Sequence, residues 1–165
     1  MKKALTLALV AAMLTATGIT AFAADTEVNR DTTPPTGAMT VNYTVDPAYT
    51  VVIPESVTLT DADVTAIIKI YGADENSNVV IGKGQKVNVA LTESANGFKV
   101  KTADGDTVDY TVNGENTTAA LASVAECTAD DGTKNTDITF TKTGTAAYAG
   151  TYSDTLLFTV SLADA

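Results

Sequence analysis

Lys86-Val87-Asn88-Val89-Ala90-Leu91-Thr92-Glu93-Ser94-Ala95-Asn96-Gly97-Phe98-Lys99-Val100 is the stretch on which the fold turns. Val87, Val89 and Leu91 alternate with Lys86, Asn88 and Ala90, and Phe98 and Val100 alternate with Lys99 and Lys101. A repeat of two puts every second side chain on one face, the signature of a half-buried strand. Asn96-Gly97 between the two runs is the strongest short turn signal in the chain, because both residues tolerate positive φ.

The same texture continues outward. Asp104-Gly105 and Asn113-Gly114 are further turns, and Val108, Tyr110 and Val112 alternate between them. Ile138 and Phe140 alternate with Thr139 and Thr141, and Tyr152 to Leu162 reads as the last and longest strand. Upstream, Val64–Tyr71 is β-branched and mostly apolar, and Val79-Val80-Ile81 is a short apolar piece. Tyr49, Val51 and Ile53 alternate as far as Pro54, which cannot donate to a ladder, and Val57 and Leu59 add a further short piece. Val41, Tyr43 and Val45 alternate with Thr40, Asn42 and Thr44, which predicts a half-buried strand there too. Ala-rich 117–126 permits a turn or two of helix by propensity while its neighbours read as strands, so it stays ambiguous. About eight or nine short strands, punctuated by Gly, Asn and Asp, indicate an all-β sandwich or barrel in one domain spanning 38–165.

The N-terminus has a different composition. Met1-Lys2-Lys3 is basic, Ala4 to Phe22 is mostly apolar, and Ala21-Phe22-Ala23 supplies small residues around a cleavage point. This is the layout of a secretory signal peptide over 1–23, cleaved after Ala23, with Ala24 as the neighbouring alternative. It predicts a secreted or surface-displayed protein. Residues 24–37 follow as a polar, flexible or extended leader containing Thr33-Pro34-Pro35-Thr36. No second apolar stretch is long enough to span a bilayer as a helix.

Losing Lys2 and Lys3 to cleavage takes the net charge from -10 to -12. A body so acidic repels phosphate backbones and anionic lipid, which argues against nucleic acid and membrane surfaces as partners. The single cysteine, Cys127, rules out an intramolecular disulfide and reads as a small core residue.

Chemistry has little to work with. The chain has no histidine, which removes the commonest general base and metal ligand and excludes a Ser-His-Asp triad. Neither Ser-x-x-Lys nor Gly-x-Ser-x-Gly occurs. The acid pairs Asp61/Asp63, Asp104/Asp106 and Asp130/Asp131 sit beside turn residues, where Asp bonds its own backbone. With no tryptophan to line a sugar cleft, a paired-carboxylate glycosidase is a poor fit. The expectation is a protein that is not an enzyme and carries no cofactor. If a metal binds, it is a calcium ion at Asp130 and Asp131, because hard cations take oxygen ligands from loops. Gly82-Lys83-Gly84 reads as a turn, and Lys69, between Ile68 and Ile70, points outward on an alternating strand. Most of the six tyrosines fall in phase with the apolar faces. Tyr148, in a small-residue loop, is the best placed for an exposed ligand-binding ring.

The ending Ala149-Gly150-Thr151-Tyr152-Ser153-Asp154-Thr155-Leu156-Leu157-Phe158-Thr159-Val160-Ser161 resembles the terminal strand of small exported sandwiches of the fimbrial-subunit and spore-coat-protein-U type, which close in Gly-x-Tyr-x-Asp. Lys86-Val87-Asn88-Val89 and Val108-Asp109-Tyr110-Thr111-Val112 share their rhythm. Tyr49-Thr50-Val51-Val52-Ile53-Pro54 with Val57-Thr58-Leu59 is similar to the start of a group of small secreted proteins of Gram-positive gut bacteria. The resemblance implies an immunoglobulin-like or Greek-key sandwich serving as a surface or appendage module, structural or adhesive, with other copies of itself or surface proteins as partners. Subunits of the U type often carry a disulfide, and this chain departs from them in having only Cys127. The alternative role is a module binding a glycan or another small ligand.

Overall fold

The structure, a computed structural model, describes residues 39–115 and 120–165. The signal peptide over 1–23, its cleavage point at Ala23 or Ala24 and the leader over 24–37 lie outside the described residues, as do 117–119. No helix occurs among the described residues, and eight strands form two antiparallel sheets, the layout of a β-sandwich. The strands are β1 (Thr50–Val52), β2 (Val64–Tyr71), β3 (Gln85–Ser94), β4 (Lys99–Lys101), β5 (Thr107–Val112), β6 (Leu121–Thr128), β7 (Lys134–Lys142) and β8 (Leu156–Asp164). One sheet runs β1-β2-β7-β5-β4, and the other runs β6-β3-β8.

Alternation builds the core. Ile68 and Ile70 of β2 point inward, Val87, Val89 and Leu91 face them from β3, and Tyr110, Val112, Ile138 and Phe140 complete the first sheet's inner face. Each such side chain contributes about 1.5–3 kcal/mol on leaving water. Lys69 projects outward between Ile68 and Ile70, 3.9 Å from Glu75, as its phase requires. Cys127 is fully buried opposite Val87, and burial pushes its thiol pKa up. It serves as a small apolar residue.

Several local expectations are corrected. Residues 41–45 form no strand: Val41 is 80% and Tyr43 90% exposed. The alternation is real, but no neighbour among the described residues pairs with it. Val57 and Leu59 pack on the core without strand pairing, and Val79–Ile81 gives only a single bridge, from Val80 to Ala48. The ambiguous Ala-rich stretch becomes β6, because Ala125 and Cys127 fall in register with Val89 and Val87 of β3. Ladder pairing there overrides alanine's helix preference. Asn96-Gly97 turns the chain, with φ of 67° at Gly97 and 60° at Phe98, but it closes no hairpin. It carries the chain from β3 in one sheet to β4 in the other. Asp104-Gly105 does close the β4–β5 hairpin, with Gly105 N–H donating to the Thr102 carbonyl at 3.1 Å.

The chain divides into two units between Asp46 and Pro47. All eight strands lie in the second unit. In the first, the described residues 39–46 are exposed and carry no regular structure.

Candidate functional site: an apolar crevice beside an open sheet edge

The two sheets differ in width, five strands against three, and the mismatch creates the site. On the narrower sheet β8 is an outermost strand, with β3 on one side. Phe158 pairs with Leu91 and Val160 with Val89. Leu91 and Val89 are fully buried, whereas Leu156, Phe158 and Val160 are only half-buried. The difference follows from position: the β3 side chains have a strand on each side, and those of β8 have one on one side only.

The uncovered region is a crevice of about 780 Å³. Its floor is the inner face of β2, β7 and β5, including Ala66, Ile138 and Phe140. Leu156 and Phe158 of β8 and the segment Ile53–Leu59 also line it. A strand edge with free N–H and C=O groups next to apolar lining is a template for another strand. β8 has none of the usual defences within it: no proline, no lysine, and its one acid, Asp164, at the far end.

Asp154 fixes one end of this crevice. Its Oδ2 accepts from the Ser94 hydroxyl and the Tyr110 hydroxyl, each at 2.6 Å. Its Oδ1 accepts from the backbone N–H groups of Asn96 (3.0 Å) and Thr155 (2.8 Å). Ser94 Oγ in turn accepts from Phe98 N–H at 2.7 Å. One carboxylate thereby ties the start of β8 to the β3–β4 crossover and to β5. A carboxylate with four donors already on it is a structural fastener, with no lone pair turned to a substrate.

Burial, then the Asp154 carboxylate, push the Tyr110 phenol well above its usual range. Both favour the neutral phenol in the folded state. An unfolded tyrosine ionises near pH ~10, so this contribution is complete below that pH and is lost as pH rises from there through the higher folded value. In alkaline melts, wild-type protein is expected to lose stability above about pH 10 more steeply than Tyr110→Phe. Parallel slopes would contradict this assignment.

The other sequence-predicted residues lie elsewhere. Asp131 accepts from the Thr128 N–H and hydroxyl, both at 2.8 Å, and from the Lys134 ammonium at 3.2 Å. The Thr128 bonds, with Lys134, hold its pKa down at about 2. Asp130 is exposed beside it. Among the described residues, no three acid or cysteine side chains converge as a metal-holding group. Tyr148 is 67% exposed, and its carbonyl accepts from the Tyr152 hydroxyl at 2.9 Å. It borders a shallow groove with Asp104 and Asp106, away from the acid pair Asp130–Asp131. Asp154 was not singled out as a site residue from sequence, although it is the acid of the Gly150-x-Tyr152-x-Asp154 pattern.

No protein-family model matches the chain, and no curated protein is significantly similar to it.

Proposed function

We propose that this protein is an exported, non-catalytic structural module of a cell surface or appendage, joined to further copies of itself by strand addition. What supports the reading is that the chain has an outermost strand beside an apolar crevice and, elsewhere, an exposed alternating segment without strand pairing. The acceptor half is the crevice and the open edge of β8. The donor half is Met39–Val45, where Met39, Val41 and Tyr43 are 85%, 80% and 90% exposed and alternate with polar residues. Main-chain hydrogen bonds to β8 would supply affinity, and every second side chain would enter the apolar crevice. Donor and acceptor are different surfaces, so the contact is head-to-tail and can propagate into a chain of copies.

Light scattering on the processed chain tests it. Wild type is expected to show mass rising with concentration. The variant Val41→Asp/Tyr43→Asp should remain monomeric, because it would bring two carboxylates into an apolar slot. Both residues are exposed in the single copy, so the variant should keep its fold. A wild-type monomer at every concentration would overturn strand addition between copies and would fit a segment that folds onto its own chain.

A second reading rests on Tyr148. An exposed ring beside two carboxylates in a shallow groove suits a neutral sugar, whose apolar face stacks while its hydroxyls donate. Loss of a glycan-array signal in Tyr148→Ala would support it.

A further inference from the structure

The Asn96-Gly97 turn joins a reactive pair of residues to a strained backbone. In Asn-Gly the following backbone nitrogen can reach the side-chain amide, because glycine has no Cβ to bar the approach. Asn96 is half-buried and Gly97 exposed, with nothing within 4 Å of the place a Gly97 side chain would occupy. The groups that must move are lightly held. The Gly97 N–H donates to the Ser94 carbonyl at 3.3 Å, long for such a bond, and Asn96 Nδ2 donates to the Ser153 carbonyl at 3.2 Å. Just beyond, Phe98 stands at φ 60°, a left-handed conformation that is costly for a bulky residue. The chain's other Asn-Gly pair, Asn113-Gly114, is better restrained. Asn113 Oδ1 accepts from the Thr139 N–H at 2.9 Å, and the Asn113 N–H donates to the Thr139 carbonyl at 2.8 Å. Side chain and backbone of Asn113 are thus both clamped to β7.

We infer that Asn96 is a site of self-modification, converting to aspartate and isoaspartate as the protein ages, and that the conversion undoes the fastening at Asp154. The Gly97 nitrogen bonds to Asn96 Cγ and gives up its proton. Nδ2 takes up a proton and leaves as ammonia, and a cyclic imide remains. Water then opens the imide at either carbonyl, so the sum is one water in and one ammonia out. Either product replaces an amide donor by a carboxylate facing the Ser153 carbonyl. It also sets a negative charge near the Asp154 carboxylate, which accepts from the Asn96 N–H and the Ser94 hydroxyl. Like charges at short range disfavour each other. Isoaspartate further lengthens the backbone by one atom just before Phe98, which gives slack to its left-handed conformation. The start of β8 and the β3–β4 crossover loosen together.

Ageing the processed wild-type chain tests this. It is held in warm, mildly alkaline buffer for several half-lives of conversion of a free peptide of residues 93–99. Trypsin then separates Asn96, in residues 87–99, from Asn113, in residues 102–134. Mass spectrometry is expected to find conversion at Asn96 about tenfold faster than at Asn113, the factor that one hydrogen bond's net worth makes in a rate. The melting temperature should fall in step, toward that of Asn96→Asp at roughly 5 °C below wild type. Asn96→Gln should hold its melting temperature through the same incubation. Conversion mainly at Asn113, or at neither residue, would overturn the assignment of the site. Conversion at Asn96 with an unchanged melting temperature would overturn its hold on the Asp154 network.

Discussion

Asp154→Ala is expected to lower the melting temperature by roughly 10–15 °C. Four donors converge on the carboxylate, more than on any other side chain among the described residues. Tyr110 is only 3% exposed, so its hydroxyl cannot turn to bulk water when the carboxylate goes. An orphaned buried donor costs about 1–3 kcal/mol, and the backbone N–H groups of Asn96 and Thr155 lose their acceptor as well. A total near 3 kcal/mol translates to that temperature shift for a domain of this size. Asp154→Asn should cost roughly half as much. Its amide keeps an oxygen for the two N–H groups, and the hydroxyls can rotate to accept. Thermal melts of the three proteins check this. Equal melting temperatures for wild type and Asp154→Ala would contradict the role assigned to Asp154. Because this residue also sets where β8 leaves the crossover, the same loss should loosen the crevice end.

The second large effect concerns the crevice itself. Ala66 stands on its floor, opposite Ile138 in the β2–β7 ladder. Ala66→Phe places a ring in space that the single copy leaves open, so the melting temperature should hold or rise slightly. Self-association should fall by at least roughly a hundredfold, because a guest side chain and the ring cannot share the slot. Burial of each guest residue is worth about 1.5–3 kcal/mol, and losing two of them amounts to a hundredfold or more. Sedimentation velocity against concentration reads the effect. Association as tight as wild type would place the contact between copies elsewhere.

Much of the fold can be read from side-chain phase alone. Val87/Val89/Leu91, Tyr110/Val112 and Ile138/Phe140 alternate in sequence and face one core in the structure. Phase does not say whether a strand finds a neighbour. Val41/Tyr43/Val45 alternates as cleanly as any of these and stands in water. Val57/Leu59 alternates and lies on the core without backbone pairing. A residue's demand for positive φ is local, so the Asn96-Gly97 turn is visible in sequence. Which sheet receives the chain afterwards depends on distant strands. Leu121–Thr128 is the reverse case, where local helix preference gives way to the register with β3. The site was least legible. A crevice arises from unequal sheet widths, and no single residue encodes that. Asp154 owes its importance to Ser94, Asn96 and Tyr110, which are 44 to 60 positions away in the chain.

Mixing the two disabled forms probes strand addition most directly. Val41→Asp/Tyr43→Asp retains the slot and lacks the inserting segment, while Ala66→Phe retains the segment and lacks the slot. Each alone should run as a monomer by light scattering. Combined in equal amounts they should form one-to-one dimers that grow no further. Two monomers that ignore each other would contradict the account.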